Sequence, residues 1–169
     1  MKINSFEDLF VCLLSDMYAV EKILVKDLPH LIKKAYSEDL KEGLKAHFIE
    51  TKEHVKRLDK IFHILNQRPM EVSWSVDIKA LFMDTEKFLE ENETSPLLDV
   101  AIIALAQRVE HFEITTYGTL RAFADALEYD DIKSILKDTL KEEGHADKLL
   151  TDLAEGGLLT QGINVKATQ

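Results

Sequence analysis

A single cysteine, Cys12, excludes an internal disulfide and leaves no thiolate pair to hold a metal or carry redox chemistry. Six glycines and three prolines among 169 residues offer few breaks in secondary structure, so long uninterrupted helices are expected. No apolar run approaches the roughly 20 residues needed to cross a bilayer. The opening MKINSFEDLF lacks the apolar stretch of a signal peptide, and a cytoplasmic location is expected. Basic residues are outnumbered by acidic ones. With 21 Lys and Arg against 31 Asp and Glu, the formal net charge is −10, which argues against a nucleic-acid or anionic-membrane surface and leaves metal cations as charged partners. What is present is 46% hydrophobic and 31% charged, enough for one compact domain or a domain that pairs with a copy of itself.

The hydrophobic pattern predicts four long helices. The first runs from about Ser5, a plausible N-cap followed by Glu7 and Asp8, to about Ala35, with Phe6, Phe10, Leu14, Met17, Leu24, Leu28 and Ile32 along one stripe and a kink expected at Pro29. A second N-cap at Ser37 opens a helix carrying Leu40, Leu44, Phe48, Val55, Leu58, Phe62 and Leu65, which Arg68-Pro69 stops. Residues 67–94 are too many for a turn, and Ile78, Leu81, Phe82, Phe88 and Leu89 recur at near-helical spacing, as in a crossover holding a shorter helix. Ser95-Pro96 starts the third helix, which continues to about Glu128. The fourth runs from about Asp130 to Ala154, and Gly156-Gly157 ends it. Two helical hairpins joined by a long crossover have the connectivity of a ferritin-like four-helix bundle, here an all-α domain over 1–155 with a flexible tail over 156–169.

Several acids fall where these helices should bury a hydrophobic side chain. Taking about 100° per residue, Glu21 lies at the centre of the first stripe, between Met17, Leu24 and Val25. Glu113 is central on the third, and Glu110 faces in one turn earlier. On the fourth helix Glu143 points inward with Asp147 one turn later, while Glu142 and His145 point away. Glu50 sits at the edge of the second stripe, His47 and His54 lie within it, and Glu53 projects to solvent. Tyr18 and Tyr117 share the inward faces. A buried carboxylate without a partner costs several kcal/mol and would sooner take up a proton, so a cation is expected among them. Arg108 and Arg121 could offset one or two acids, but five acids on four helices, Glu21, Glu50, Glu113, Glu143 and Asp147, favour a pair of metal ions.

The segments Ser15-Asp16-x-Tyr18-x-x-Glu21-Lys22, His47-x-x-Glu50-Thr51-x-x-His54, Glu110-x-x-Glu113-x-x-x-Tyr117-Gly118 and Glu142-Glu143-x-x-x-Asp147 resemble the signature segments of the YciF-type ferritin-like family, in order and over nearly the whole chain. The resemblance implies a bacterial, stress-associated, cytosolic bundle, commonly a homodimer, with a rubrerythrin-like dimetal centre. It carries the family ligands over to Glu21, Glu50, Glu113, Glu143 and Asp147, with Glu110 as an additional or alternative ligand. His54 stands where relatives carry glutamine. The Glu-x-x-His pairs of ferritins and rubrerythrins become Glu50-x-x-x-His54 and Glu143-x-x-x-Asp147, so His54 and Asp147 are either direct ligands or groups that orient them. Tyr18, His47 and Tyr117 are expected to stand behind the ligands and hydrogen-bond them.

An oxygen-rich donor set suits iron, with manganese or zinc as alternatives, and fits copper poorly. The expected function is Fe(II) oxidation by O₂ or peroxide at a dinuclear centre. Two other readings stand beside it: an iron-storage cage, and a helical stress or interaction protein whose metal is structural or absent. No rubredoxin-like Cys-x-x-Cys module is present in the sequence to feed electrons.

Overall fold

The computed structural model describes residues 3–71, 85, 87–157 and 160–169. Four long helices dominate it: α1 (Phe6–Lys34), α2 (Glu38–Ile64), α3 (Pro96–Ala126) and α4 (Asp130–Glu155). α1 pairs with α2 and α3 with α4, and the two hairpins face each other through α2 against α4 and α1 against α3. This is the all-α, ferritin-like bundle that the hydrophobic pattern predicts. The crossover's short helix is seen at 85 and 87–91, where Leu89 is buried. Ile78, Leu81, Phe82 and Trp74 lie outside the described residues. Among the described residues no helix is long and apolar enough to cross a membrane.

Local chemistry sets the helix ends. Ser5 and Asp8 form a reciprocal capping box: the Ser5 hydroxyl accepts from Asp8 N at 3.0 Å, and the Asp8 carboxylate accepts from Ser5 N at 3.1 Å. Ser95 Oγ likewise accepts from Leu98 N at 3.2 Å, with Pro96 in the first turn. α1 runs through Pro29 to Lys34.

Ser37 occupies the N-cap of α2, yet its side chain makes no capping bond. Asp99, buried in the first turn of α3, supplies the acceptors instead. Its two carboxylate oxygens take Tyr36 N at 2.6 Å and Ser37 N at 2.8 Å. This one side chain ties the α1–α2 turn to the start of α3, across a separation of more than sixty residues.

The core is a continuous column of Leu, Ile, Val, Met and aromatic side chains from all four helices, including Phe10, Leu14, Leu24, Leu58, Ile102, Leu120 and Leu136. After Glu155 the chain turns at Gly156, whose φ of +81° suits glycine, because a Cβ there would meet Gly162 N at 2.3 Å. Gly156-Gly157 pairs antiparallel with Thr160-Gln161, and a one-turn helix α5 (Ile163–Lys166) buries Ile163. This final stretch, a loose tail by composition, packs on α3 and α4.

Removing the Asp99 carboxylate strands two backbone N–H groups that a charged acceptor now satisfies. Asp99→Ala is expected to cost about 3 kcal/mol in urea unfolding, and Asp99→Asn less, since an amide offers one acceptor oxygen rather than two.

Candidate metal centre

Each long helix sends polar side chains into the middle of this apolar column. α1 supplies Glu21, α2 His47 and His54, α3 Glu110 and Glu113, and α4 Glu143; all six are buried. Glu21, His54, Glu113 and Glu143 have no exposed surface at all. Their placement follows from helical phase, since residues three or four apart share a face and stack along the axis. Thus His47 lies about two turns from His54, and Glu110 sits one turn before Glu113.

Two groups result. His47, Glu110, Glu113 and Glu143 bring ligand-type atoms within 4.8 Å of one another, as do Glu21, His54 and Glu143. Glu143 belongs to both. Its Oε1 lies 2.9 Å from His54 Nδ1, which is 3.3 Å from Glu21 Oε1, and His47 Nε2 is 3.3 Å from Glu110 Oε1. The Tyr117 hydroxyl, fully buried, donates to Glu21 Oε1, and its ring meets the His54 ring edge-on at 6.2 Å.

The charges are poorly balanced. Burial, and the charges of Glu143, Glu21 and Glu110, push the Glu113 carboxyl well above the ordinary range. Glu110 is raised well above it by burial and by Glu143, Asp147 and Glu21. Burial also raises Glu21, although contacts with His54 and Tyr117 pull the other way. Burial alone would lower His54, but contact with Glu143 and Glu21 outweighs it and holds the imidazole at about 11. His47 is lowered by burial and stays neutral at pH 7. Tyr117 is pushed well up by burial and by Glu21.

Glu50 and Asp147, expected from sequence among the ligands, are half-buried and stand outside both groups. Glu50 lines a surface cavity of about 420 Å³ between α2 and α4, and burial with the charge of Glu142 raises its carboxyl. Asp147 Oδ1 lies 3.1 Å from Nε2 of the exposed His111. The Tyr18 ring packs edge-on against Phe62 at 5.8 Å with Lys22 Nζ over its face, and burial and the neighbouring Asp59 raise its hydroxyl. His47, expected behind the ligands, lies within the first group.

Glu142, which phase alone turns away from the core, is drawn in from the rim. Its carboxylate takes His54 Nε2 at 2.9 Å and a two-pronged contact from Arg57 at 2.5 and 2.9 Å. The hint in the sequence is Arg57 itself, one turn after His54.

The residues fit a metal ion on their own chemistry. Both oxygens of Glu113 and Oε2 of Glu21 and of Glu110 are buried without a hydrogen-bond partner, as is His47 Nδ1. Two like charges within 4.8 Å repel by on the order of 3 kcal/mol or more at an effective dielectric of about 20. That is as much as burying a whole leucine gains. His54 is the one cationic side chain within the two groups, against four carboxylates. Buried His and Glu in this arrangement can hold metal ions. The hard oxygen donors with two imidazoles suit iron, manganese or zinc.

A pH dependence follows. Glu110 and Glu113 bind protons more tightly folded than unfolded, so the stability they contribute is full below their unfolded value of 4.5 and is lost as pH rises toward the raised folded values. His54, raised from 6.5 to about 11, has the same sign over that higher window. Chelator-treated protein should therefore melt at lower temperature at pH 8 than at pH 5.5, and Glu113→Gln should flatten that slope in thermal unfolding.

Comparison with known proteins agrees with the fold. The family profile described as "Domain of unknown function (DUF892)" matches residues 5–164. Protein YciF of Escherichia coli (strain K12) is 36% identical over 154 residues, covering 91% of this chain and 93% of that protein. The crystal structure of the E. coli stress protein YciF superposes with a TM-score of 0.83, over 89% of this chain and 95% of that one. YcfI from Rhodopseudomonas palustris, at 39% identity, gives 0.84 over 90% and 97%. A Xanthomonas campestris protein at 17% identity and a TM-score of 0.69, over 88% and 89%, shares the fold. With a matching profile over nearly its whole length and a relative this similar, the chain belongs to the YciF-type, DUF892 family of helical-bundle proteins.

Proposed function

We propose that this protein is a cytoplasmic, stress-associated homodimer that holds a dinuclear metal centre inside each bundle, with iron the first candidate and manganese or zinc the alternatives. The observation that carries this reading is Glu113, fully buried with neither carboxylate oxygen partnered. A side chain in that position is stable at neutral pH only protonated or beside a cation. Glu143, common to both groups, would contribute to holding both ions. Glu21 and His54 would hold one ion, and His47, Glu110 and Glu113 the other. Glu50 and Asp147, at the rim, complete the proposed ligand set. Tyr117 fixes Glu21 through its hydroxyl and holds that carboxylate in one orientation. The stress association comes from the E. coli relative, whose structure is described as that of a stress protein.

The chemistry that bound iron would supply is one-electron oxidation of each Fe(II), two of which match the two-electron reduction of peroxide to water. The protein's own part is to keep the site dry and strongly anionic. Excess negative charge favours the higher oxidation state. The leucine, isoleucine and valine shell around the acids limits solvent access.

Anaerobically purified protein is expected to bind about two Fe(II) per chain, one for each group, and to consume O₂ or H₂O₂ as they are oxidised. Binding without consumption of either oxidant removes the oxidase reading; no stoichiometric metal removes the whole proposal. Glu113→Gln should abolish tight binding while stabilising chelator-treated protein by about 1 to 3 kcal/mol, because it replaces an uncompensated buried acid.

A further inference from the structure

Outside the two ligand groups, one set of polar side chains is organised toward the interior. Arg57, one turn after His54 on α2, reaches across to α4 and grips both oxygens of Glu142, at 2.5 Å from Nη1 and 2.9 Å from Nη2. Its Nη1 also donates to Thr139 Oγ1 at 3.1 Å, which fixes the guanidinium against α4. Glu142 Oε2 in turn lies 2.9 Å from His54 Nε2, and the opposite ring nitrogen, Nδ1, faces Glu143 Oε1 and Glu21 Oε1. The His54 ring is entirely buried, whereas Glu142 and Arg57 keep about a quarter of their side chains exposed on the wall of the α2–α4 cavity.

The direction of these bonds carries information. A carboxylate held by a guanidinium only accepts, so the proton between Glu142 and His54 belongs to Nε2. With Nε2 occupied, the lone pair available in the neutral ring is on Nδ1, which faces Glu21 and Glu143. We propose that Arg57 and Glu142 are positioning residues for His54: Arg57 fixes Glu142, and Glu142 fixes the ring orientation and tautomer that present Nδ1 to a metal ion beside Glu21 and Glu143. The inference rests on the dimetal reading above and adds to it two residues that touch no metal. A carboxylate behind a ligand imidazole raises its basicity and removes its rotational freedom, and loss of such a partner commonly costs 10- to 100-fold in affinity.

Zn(II) titration against a competing chelator, with ¹⁵N-histidine NMR of the zinc-loaded protein, tests this. In the wild type the His54 signals should show a protonated Nε2 and a metal-bound Nδ1. Glu142→Ala and Arg57→Met should each weaken zinc binding, by about 10- to 100-fold for Glu142→Ala and less for Arg57→Met, and broaden or shift the His54 pattern. The double variant should bind no more weakly than Glu142→Ala alone, since Arg57 acts through Glu142. Glu142→Gln, whose amide oxygen still accepts from Nε2, should recover most of the loss, a rescue that a purely structural role does not predict. Thermal unfolding of each variant after chelator treatment checks that the fold is intact.

Unchanged zinc affinity and an unchanged His54 tautomer in Glu142→Ala overturn the proposal while leaving the dimetal reading standing. Additive losses in the double variant overturn the linkage through Glu142. Wild-type protein that binds neither zinc nor iron overturns both.

Discussion

The structure turns on burying negative charge. Four carboxylates, Glu21, Glu110, Glu113 and Glu143, converge where an ordinary four-helix bundle would place leucine, and one imidazolium is the cation among them. Each close pair of like charges costs about as much as a well-packed leucine gains. The surrounding apolar column therefore has to hold together a centre that, when its acids are ionised and no cation is present, pushes the helices apart. Carboxylates perturbed in this way cluster at functional sites, and a cation beside them would remove the cost.

The rest of the architecture serves to keep those four helices in register despite that repulsion. Asp99 locks the α1–α2 turn to the start of α3 through two backbone N–H groups, and so couples the two hairpins at one end of the bundle. Tyr117 joins α3 to α1 through Glu21, inside the cluster itself. Arg57 and Glu142 join α2 to α4 at its margin. These polar ties are directional in a way that the leucine packing is not, and they hold individual side chains in single orientations. A bundle built from apolar ridges alone tolerates small rotations of its helices; one that brings buried carboxylate and imidazole atoms within a few ångströms of each other does not.

Much of this was legible in the sequence because helical phase is a local property. Low glycine and proline content, the Ser5 and Ser95-Pro96 starts and the apolar stripes locate the four long helices to within a residue or two. The same stripes place Glu21, Glu113, Glu143 and His54 inside, and all four are fully buried. Phase fails where a side chain's fate depends on the neighbouring helix. Glu142 points away from its own stripe but is captured by Arg57 and His54 of α2. Glu50, at the edge of its stripe, is half-buried as that phase implies, whereas Asp147 lies close enough to its stripe to look internal yet ends at the rim, where His111 of α3 meets it. Ser37 is the N-cap of α2 as its identity suggests, but its hydroxyl caps nothing, and the acceptor for its turn comes from Asp99, sixty-two residues further on. Tyr18 shares the inward face of α1 with Glu21, and the aromatic edge of Phe62 takes it instead. Each of these departures is an interhelical contact, which no periodicity within one helix encodes.

The central claim is that the buried acids exist to hold two metal ions in defined places. Anomalous diffraction at the iron or manganese edge from crystals grown with that ion tests it most directly. The account predicts two peaks per chain, one among Glu21, His54 and Glu143 and the other among His47, Glu110, Glu113 and Glu143. Crystals that diffract well and show no anomalous density between these residues, or density confined to surface acids, would contradict it.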